Sequence, residues 1–163
     1  MASCIVKAPK DEIVAGMGQI AVGRDDTILR AVLGSCIGVV LYAPRQHVGA
    51  LGHVVLPQSE GRQGAPGKFA DTAIPAMLRA LEREGARPTN LIAKIAGGAS
   101  MFGHDGPMQI GEANAQAVTE VLRAAGIRIA EKDVGGKRGR RVYFHCQNGK
   151  YVIETVGDPP RVL

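Results

Sequence analysis

Apolar residues crowd two neighbouring stretches of the chain. Leu33-Gly34-Ser35-Cys36-Ile37-Gly38-Val39-Val40-Leu41-Tyr42 and Val48-Gly49-Ala50-Leu51-Gly52-His53-Val54-Val55-Leu56 contain no acidic residue, lysine or arginine. Each reads as an apolar strand, and Ala43-Pro44-Arg45-Gln46-His47 reads as the turn between them. A cysteine begins the first strand and a histidine sits late in the second.

Weaker patterns flank this hairpin. Residues 1–12 are mixed and read as irregular or as a loose first strand. Gly16 to Gly23 is strand-like, Arg24-Asp25-Asp26 a turn, and Thr27 to Leu33 a strand leading into the Gly34-Ser35-Cys36 bend. Pro57 to Gly67 is a loop rich in Gly and Pro. Asp71 reads as the N-cap of a helix running to about Glu84, with Ile74, Met77, Leu78 and Leu81 as its apolar stripe and Gly85 as its stop. Asn90 to Ala96 is a strand, and Gly97 to Gly103 a tight loop. A second helix spans about Gly111 to Ala125, turning Ala117, Val118, Val121 and Leu122 inward. Three strands close the chain: Ile127 to Glu131, Arg141 to Cys146 and Tyr151 to Val156. This order predicts an α+β fold of packed mixed β-sheets flanked by two main helices. With no repeat and no long linker, residues 1–163 are expected to form one domain.

The turn sets the pairing. Centred on Pro44-Arg45 with a symmetric four-residue loop, it places Leu41 opposite Val48 and Cys36 opposite His53. Opposed residues share a face, with Cβ atoms about 4.5–5.5 Å apart. A three- or five-residue loop would turn one of them away. The chemistry this suggests is a thiol nucleophile with an imidazole base. Gly34 and Ser35 would let the backbone turn sharply and aim N–H groups at an oxyanion. The competing reading is a buried structural cysteine beside an ordinary strand histidine. The residues alone leave the two about level.

Composition narrows the setting. The chain has three cysteines, Cys4, Cys36 and Cys146, which is too few for a disulfide framework and suits a reducing compartment. No apolar run reaches the roughly 18 residues of a membrane span. The N-terminus lacks a signal pattern. A cytoplasmic protein without membrane insertion is expected. A net charge of +5 allows an acidic partner. Nucleic acid is disfavoured, because aromatics are 4%, Trp is absent and no binding motif occurs. The run Lys137-Arg138-Gly139-Arg140-Arg141 reads as a solvated loop and strand edge. His53, His104, His145 and Cys146 lack zinc-like spacing, so no metal is expected. The loop after Ala96 lacks a phosphate-binding signature, and no Gly-x-Ser-x-Gly is present.

These residues together resemble the CheD family of chemoreceptor glutamine deamidases. The match is carried by Leu33-Gly34-Ser35-Cys36, by Gly52-His53-Val54-Val55-Leu56-Pro57 and by Gly67-Lys68-Phe69-Ala70-Asp71-Thr72-Ala73. Ala93 to Phe102, Ile110-Gly111 with Asn114, and Gly135-Gly136 followed by Arg138 to Arg141 extend it. The resemblance implies hydrolysis of glutamine side-chain amides on the cytoplasmic helices of methyl-accepting chemotaxis receptors, in chemotaxis adaptation. It implies Cys36 as nucleophile, His53 as general base and then acid, and no cofactor. Backbone groups at Gly34 and Ser35 would support the oxyanion. Gly67, Lys68, Phe69 and Ser100 would border the substrate. The fold would resemble that of the cytotoxic necrotizing factor deamidases. A CheC-type phosphatase is an expected partner in some members.

Two departures stand out. Family members often carry a threonine six residues before the cysteine as a third catalytic group, and here that residue is Arg30. Ala113 stands where an arginine is common. The group orienting His53 is then a backbone carbonyl or no side chain at all. The alternative function is an interaction module with little catalysis, binding a CheC-type phosphatase or receptor helices.

Overall fold

A computed structural model describes residues 11–101 and 109–163. Cys4, Phe102, Gly103 and His104, named above, lie outside the described residues. The described chain runs β1 (Glu12–Val14), β2 (Ile20–Arg24), β3 (Ile28–Leu33), β4 (Ile37–Ala43), β5 (Val48–Val54), α1 (Ala70–Arg83), β6 (Ile92–Gly97), α2 (Ile110–Ala124), β7 (Arg128–Val134), β8 (Arg140–His145), β9 (Tyr151–Thr155) and β10 (Arg161–Val162). Single 3-10 turns occupy Pro66–Lys68 and Pro88–Asn90.

Two five-stranded mixed sheets result, in the orders β1-β3-β8-β9-β10 and β2-β5-β4-β6-β7. The β1/β3 and β6/β7 pairs are parallel and the others antiparallel. The architecture is the α+β arrangement the sequence order implies. One apolar cluster packs α1 and α2 onto the second sheet, through Ile74, Met77, Leu81, Val118 and Leu122 against Ile37, Val39 and Leu41. The other fills the space between the sheets, with Leu29, Val40, Leu51, Phe144 and Tyr151. Strands β4 and β5 are therefore covered on both faces, and all their residues are buried. That explains why they read as unbroken apolar runs rather than alternating ones. Strand β3 has only one covered face and alternates, leaving Arg30 and Val32 exposed.

The central hairpin departs from the expected register. Gly38, not Cys36, lies opposite His53, and the ladder continues to Ala43 opposite Val48. The loop does have four residues, but they are 44–47. His47 closes it in the left-handed region at φ 55°, and its carbonyl accepts from the Asp25 N–H. This extra pairing buries Ala43 and Val48 completely. The offset is two residues, so every side chain keeps its face.

Other corrections follow from tertiary contacts. Asp71 lies inside the first turn of α1, whose N-cap is Phe69. Its carboxylate accepts from the Ser59 N–H at 3.0 Å and the Ser59 hydroxyl at 2.8 Å, tying down the 57–67 loop. Gly16 to Gln19 forms a turn, and β2 starts only at Ile20. Strand β7 extends to Val134 alongside β6. Arg140, expected in solvent, is buried, because Asp133 and three carbonyls surround its guanidinium. Among the described residues, no helix is long and apolar enough to cross a membrane.

Candidate active site

Cys36 occupies the bend between β3 and β4, and His53 the penultimate position of β5. Gly38 is the partner of His53, and Cys36 lies two residues before Gly38. Alternation along a strand puts both on one face, as diagonal neighbours. That face looks into the space between the sheets. A Cβ on Gly38 would meet Tyr151, Leu33 and Leu51, all of that cluster, to which Cys36 also belongs. Cys36 is 7% exposed and His53 4%.

The imidazole is oriented by backbone. His53 Nδ1 lies 2.9 Å from the Ala15 carbonyl oxygen. A carbonyl oxygen only accepts, so Nδ1 carries the proton. In the neutral ring Nε2 is then the unprotonated nitrogen. The Ala15 N–H in turn donates to the Arg30 carbonyl at 2.9 Å. The His53 main chain is fixed on both sides, donating to the Gln19 carbonyl and accepting from the Gly18 N–H. Arg30 itself points outward and pairs with Glu12 at 3.3 Å. Its side chain orients nothing in the site. Thr27 sits at the other end of β3, beside Gly23.

The bend carrying Cys36 is held through three consecutive carbonyls. Gly34 accepts from the Ala99 N–H at 2.9 Å, and Cys36 from the Gly98 N–H at 2.9 Å. Between them, Ser35 accepts from Asn114 Nδ2 at 3.0 Å. The same amide nitrogen donates to the Val55 carbonyl at 2.9 Å, two residues past His53. Among the described residues, the N–H groups of Ser35 and Cys36 have no partner. Gly97 and Gly98 take φ values of 111° and 69° to reach this position. A Cβ on Gly97 would stand 2.2 Å from the Cys36 carbonyl oxygen, so the approach requires glycine. Arg140 braces the loop from behind, donating to the carbonyls of Gly97 and Gly135 and pairing with Asp133 at 3.0 Å.

The segment expected to border the substrate adjoins the histidine strand. The Lys68 carbonyl accepts from the N–H groups of Val55 and Leu56, and Gly67 packs against the Gly18 carbonyl. Phe69 is buried, with Arg62 and Lys68 over its ring at 5.1 and 5.5 Å. Ser100 lies on the opposite side, its N–H donating to the Gly136 carbonyl. Among the described residues its hydroxyl oxygen is buried without a partner, beside a cavity of about 520 Å³ also lined by Gly98, Gln109, Glu112 and Gly136. Burial pushes the Cys36 thiol above the usual thiol range.

Sequence reasoning put Cys36 directly opposite His53, where the register puts Gly38, and offered a backbone carbonyl as the orienting group without locating it at Ala15. Ala15 acts through its carbonyl, which leaves no mark in a sequence. Asn114 did leave one: it precedes Ala117 and Val118 by three and four residues, so it is a polar residue within the inward stripe of a helix.

The chain is a mixed two-sheet α+β fold that buries Cys36 and His53 on one face at the end of its central hairpin. Residues 55–155 match the family model described as CheD, chemotactic sensory transduction. The chain belongs to the CheD family. It is 42% identical over 145 residues to a Thermotoga maritima protein named chemoreceptor glutamine deamidase CheD, covering 88% of this chain and 92% of that one. Proteins named probable chemoreceptor glutamine deamidase CheD are 40% identical in Archaeoglobus fulgidus (88% and 92% covered) and 41% identical in Desulforamulus reducens (93% and 99% covered). Among solved structures, the Bacillus licheniformis hypothetical protein YfiH is similar with a TM-score of 0.46 and 14% identity, over 72% of this chain and 49% of that one.

Proposed function

We propose that this protein hydrolyses glutamine side-chain amides on the cytoplasmic helices of chemotaxis receptors, with Cys36 as nucleophile and His53 as base and then acid. The observation that carries this reading is the bond from His53 Nδ1 to the Ala15 carbonyl. It leaves Nε2 as the acceptor on the face that Cys36 shares. The names of the relatives supply the substrate class.

The raised thiol pKa decides how the nucleophile forms. A thiol that burial keeps protonated is not a standing thiolate. It becomes nucleophilic as Nε2 takes its proton during attack. Sulfur bonds to the amide carbon, and the carbonyl π pair moves onto oxygen. The N–H groups of Ser35 and Cys36, without a partner among the described residues, are the donors for that oxygen in this reading. The C–N bond then breaks, the imidazolium hands its proton to nitrogen, and ammonia leaves. Water, deprotonated by Nε2, cleaves the thioester. Sulfur leaves, recovers the proton from the imidazolium, and glutamate is the product. No cofactor enters these steps.

The test is mass spectrometry of a receptor cytoplasmic fragment incubated with wild type and with Cys36→Ala. The amide-to-acid mass increment at defined glutamines, with wild type alone, is the expected result. No increment with wild type on any receptor fragment sinks the reading and favours a binding module.

A further inference from the structure

Asn114 comes from α2, on the helix side of the second sheet, whereas Cys36 packs with the cluster on the opposite side, between the sheets. Its side chain is fully buried. Both hydrogens of its amide are committed, one to the Ser35 carbonyl and one to the Val55 carbonyl. The same group thus joins the segment that carries the thiol to the end of the strand that carries the imidazole.

The Ser35–Cys36 peptide is trans, as every described peptide is. In a trans peptide the C=O and N–H point in opposite directions. Pulling the Ser35 carbonyl toward α2 therefore turns the Cys36 N–H away from α2, toward the side on which the thiol lies. The Gly34 carbonyl is held separately, by the Ala99 N–H, so the Ser35 N–H points away from Ala99. Polarisation adds to aim, since a carbonyl that accepts a hydrogen bond leaves its own peptide N–H a better donor.

We infer that Asn114 is a positioning residue that aims the Cys36 N–H at the oxyanion of the tetrahedral intermediate. The inference rests on the deamidase reading above. It gives a task to a buried polar side chain in an apolar stripe and explains why its two bonds fall on these two carbonyls. Asn114 acts only through the backbone; it touches neither thiol nor imidazole through any bond the structure shows.

The test compares wild type, Asn114→Ala and the near-isosteric Asn114→Leu on two reactions. Deamidation of the receptor fragment needs an oxyanion donor. Alkylation of Cys36 by iodoacetamide is a displacement at carbon and needs none. Loss of one such donor lowers kcat by about 10²–10³. A misaimed one is expected to lower it by about 10- to 100-fold, with KM within about twofold of wild type. The alkylation rate and its pH profile are expected to stay as in wild type. Unchanged kcat overturns the inference, and so does an alkylation rate that falls in step with kcat. Absence of deamidation by wild type overturns the deamidase reading instead, and this inference with it. Should neither variant fold, wild type decides. In a ¹⁵N spectrum, the Cys36 and Ser35 amide protons move downfield when a glutamine-mimicking peptide aldehyde adds to the thiol. Unmoved resonances in that adduct overturn the inference.

Discussion

His53 Nδ1 donates to the Ala15 carbonyl at 2.9 Å, so a main-chain oxygen holds the imidazole. Arg30 stands at the position where a third catalytic side chain is often found, yet it contributes only its backbone carbonyl, which accepts from the Ala15 N–H. The imidazole tautomer is thus fixed by main chain.

Replacing His53 tests its proposed role as base. His53→Gln is expected to lower kcat by about 10²–10⁴, as loss of a general base and acid does. Cys36 should still react with alkylating agents at high pH, where hydroxide removes its proton. Steady-state ammonia release and alkylation kinetics check the two halves.

Gly97→Ala is expected to damage both fold and activity. Its φ of 111° strains any L side chain, and the new Cβ would meet the Cys36 carbonyl oxygen at 2.2 Å. Either the strand end or the Cys36 bend must shift, at a cost of about 1–3 kcal/mol or more. Denaturant unfolding measures the loss, and the deamidation rate should fall further than stability explains.

Arg140→Lys tests the brace behind the glycine loop. The guanidinium fork reaches Asp133, Gly97 and Gly135 together, which a single ammonium cannot reproduce. Arg161 still partners Asp133 at 3.2 Å, so the loss should fall at or below the low end of the about 3–5 kcal/mol typical of a broken buried pair. Urea unfolding would show it as a lowered midpoint at unchanged slope.

Asp71→Ala should act on substrate binding more than on chemistry. It removes both bonds to Ser59 and frees the 57–67 loop, whose far end leads through Pro66–Lys68 to the strand carrying His53. The expected outcome is a KM raised several-fold, about 1 kcal/mol, with kcat nearly unchanged. A change confined to kcat would overturn this role for the loop.

Stability should fall in alkali. Burial pushes the Cys146 thiol up to about 11 from an ordinary 9.0, with the Asp25 charge adding to the shift and a Gly49 backbone bond opposing it. The Cys36 thiol and the Tyr42 and Tyr151 hydroxyls are raised too, again by burial. Between the two Cys146 values the unfolded chain has lost a proton that the folded chain keeps. Unfolding is then favoured as pH rises, from about pH 9 to about pH 11. Thermal melts of wild type and Cys146→Ala should converge in relative stability across that window. A wild-type melting temperature flat to about pH 11 would contradict it.

Hydrophobic patterning marked most of the elements and singled out Cys36 and His53 as the candidate pair. Apolar runs at β4 and β5 marked a doubly covered hairpin, and stripes at Ile74, Met77, Leu81 and at Val118, Leu122 marked the two helices. The shared face of Cys36 and His53 followed from the four-residue loop length, because face depends only on the parity of the register, and parity survived the two-residue offset. Tertiary structure alone decided the rest. The offset itself came from burying Ala43 against Val48 and from the contact of the turn with Asp25. The partner of His53 Nδ1 is the carbonyl of Ala15, just past β1, and a carbonyl is common to every residue. Asp71 left its capping role for Ser59, and Arg140 left solvent for Asp133, because partners far along the chain satisfied them better than water or a helix end. Local patterns record which face of an element is buried; they do not record which distant backbone group arrives to meet it.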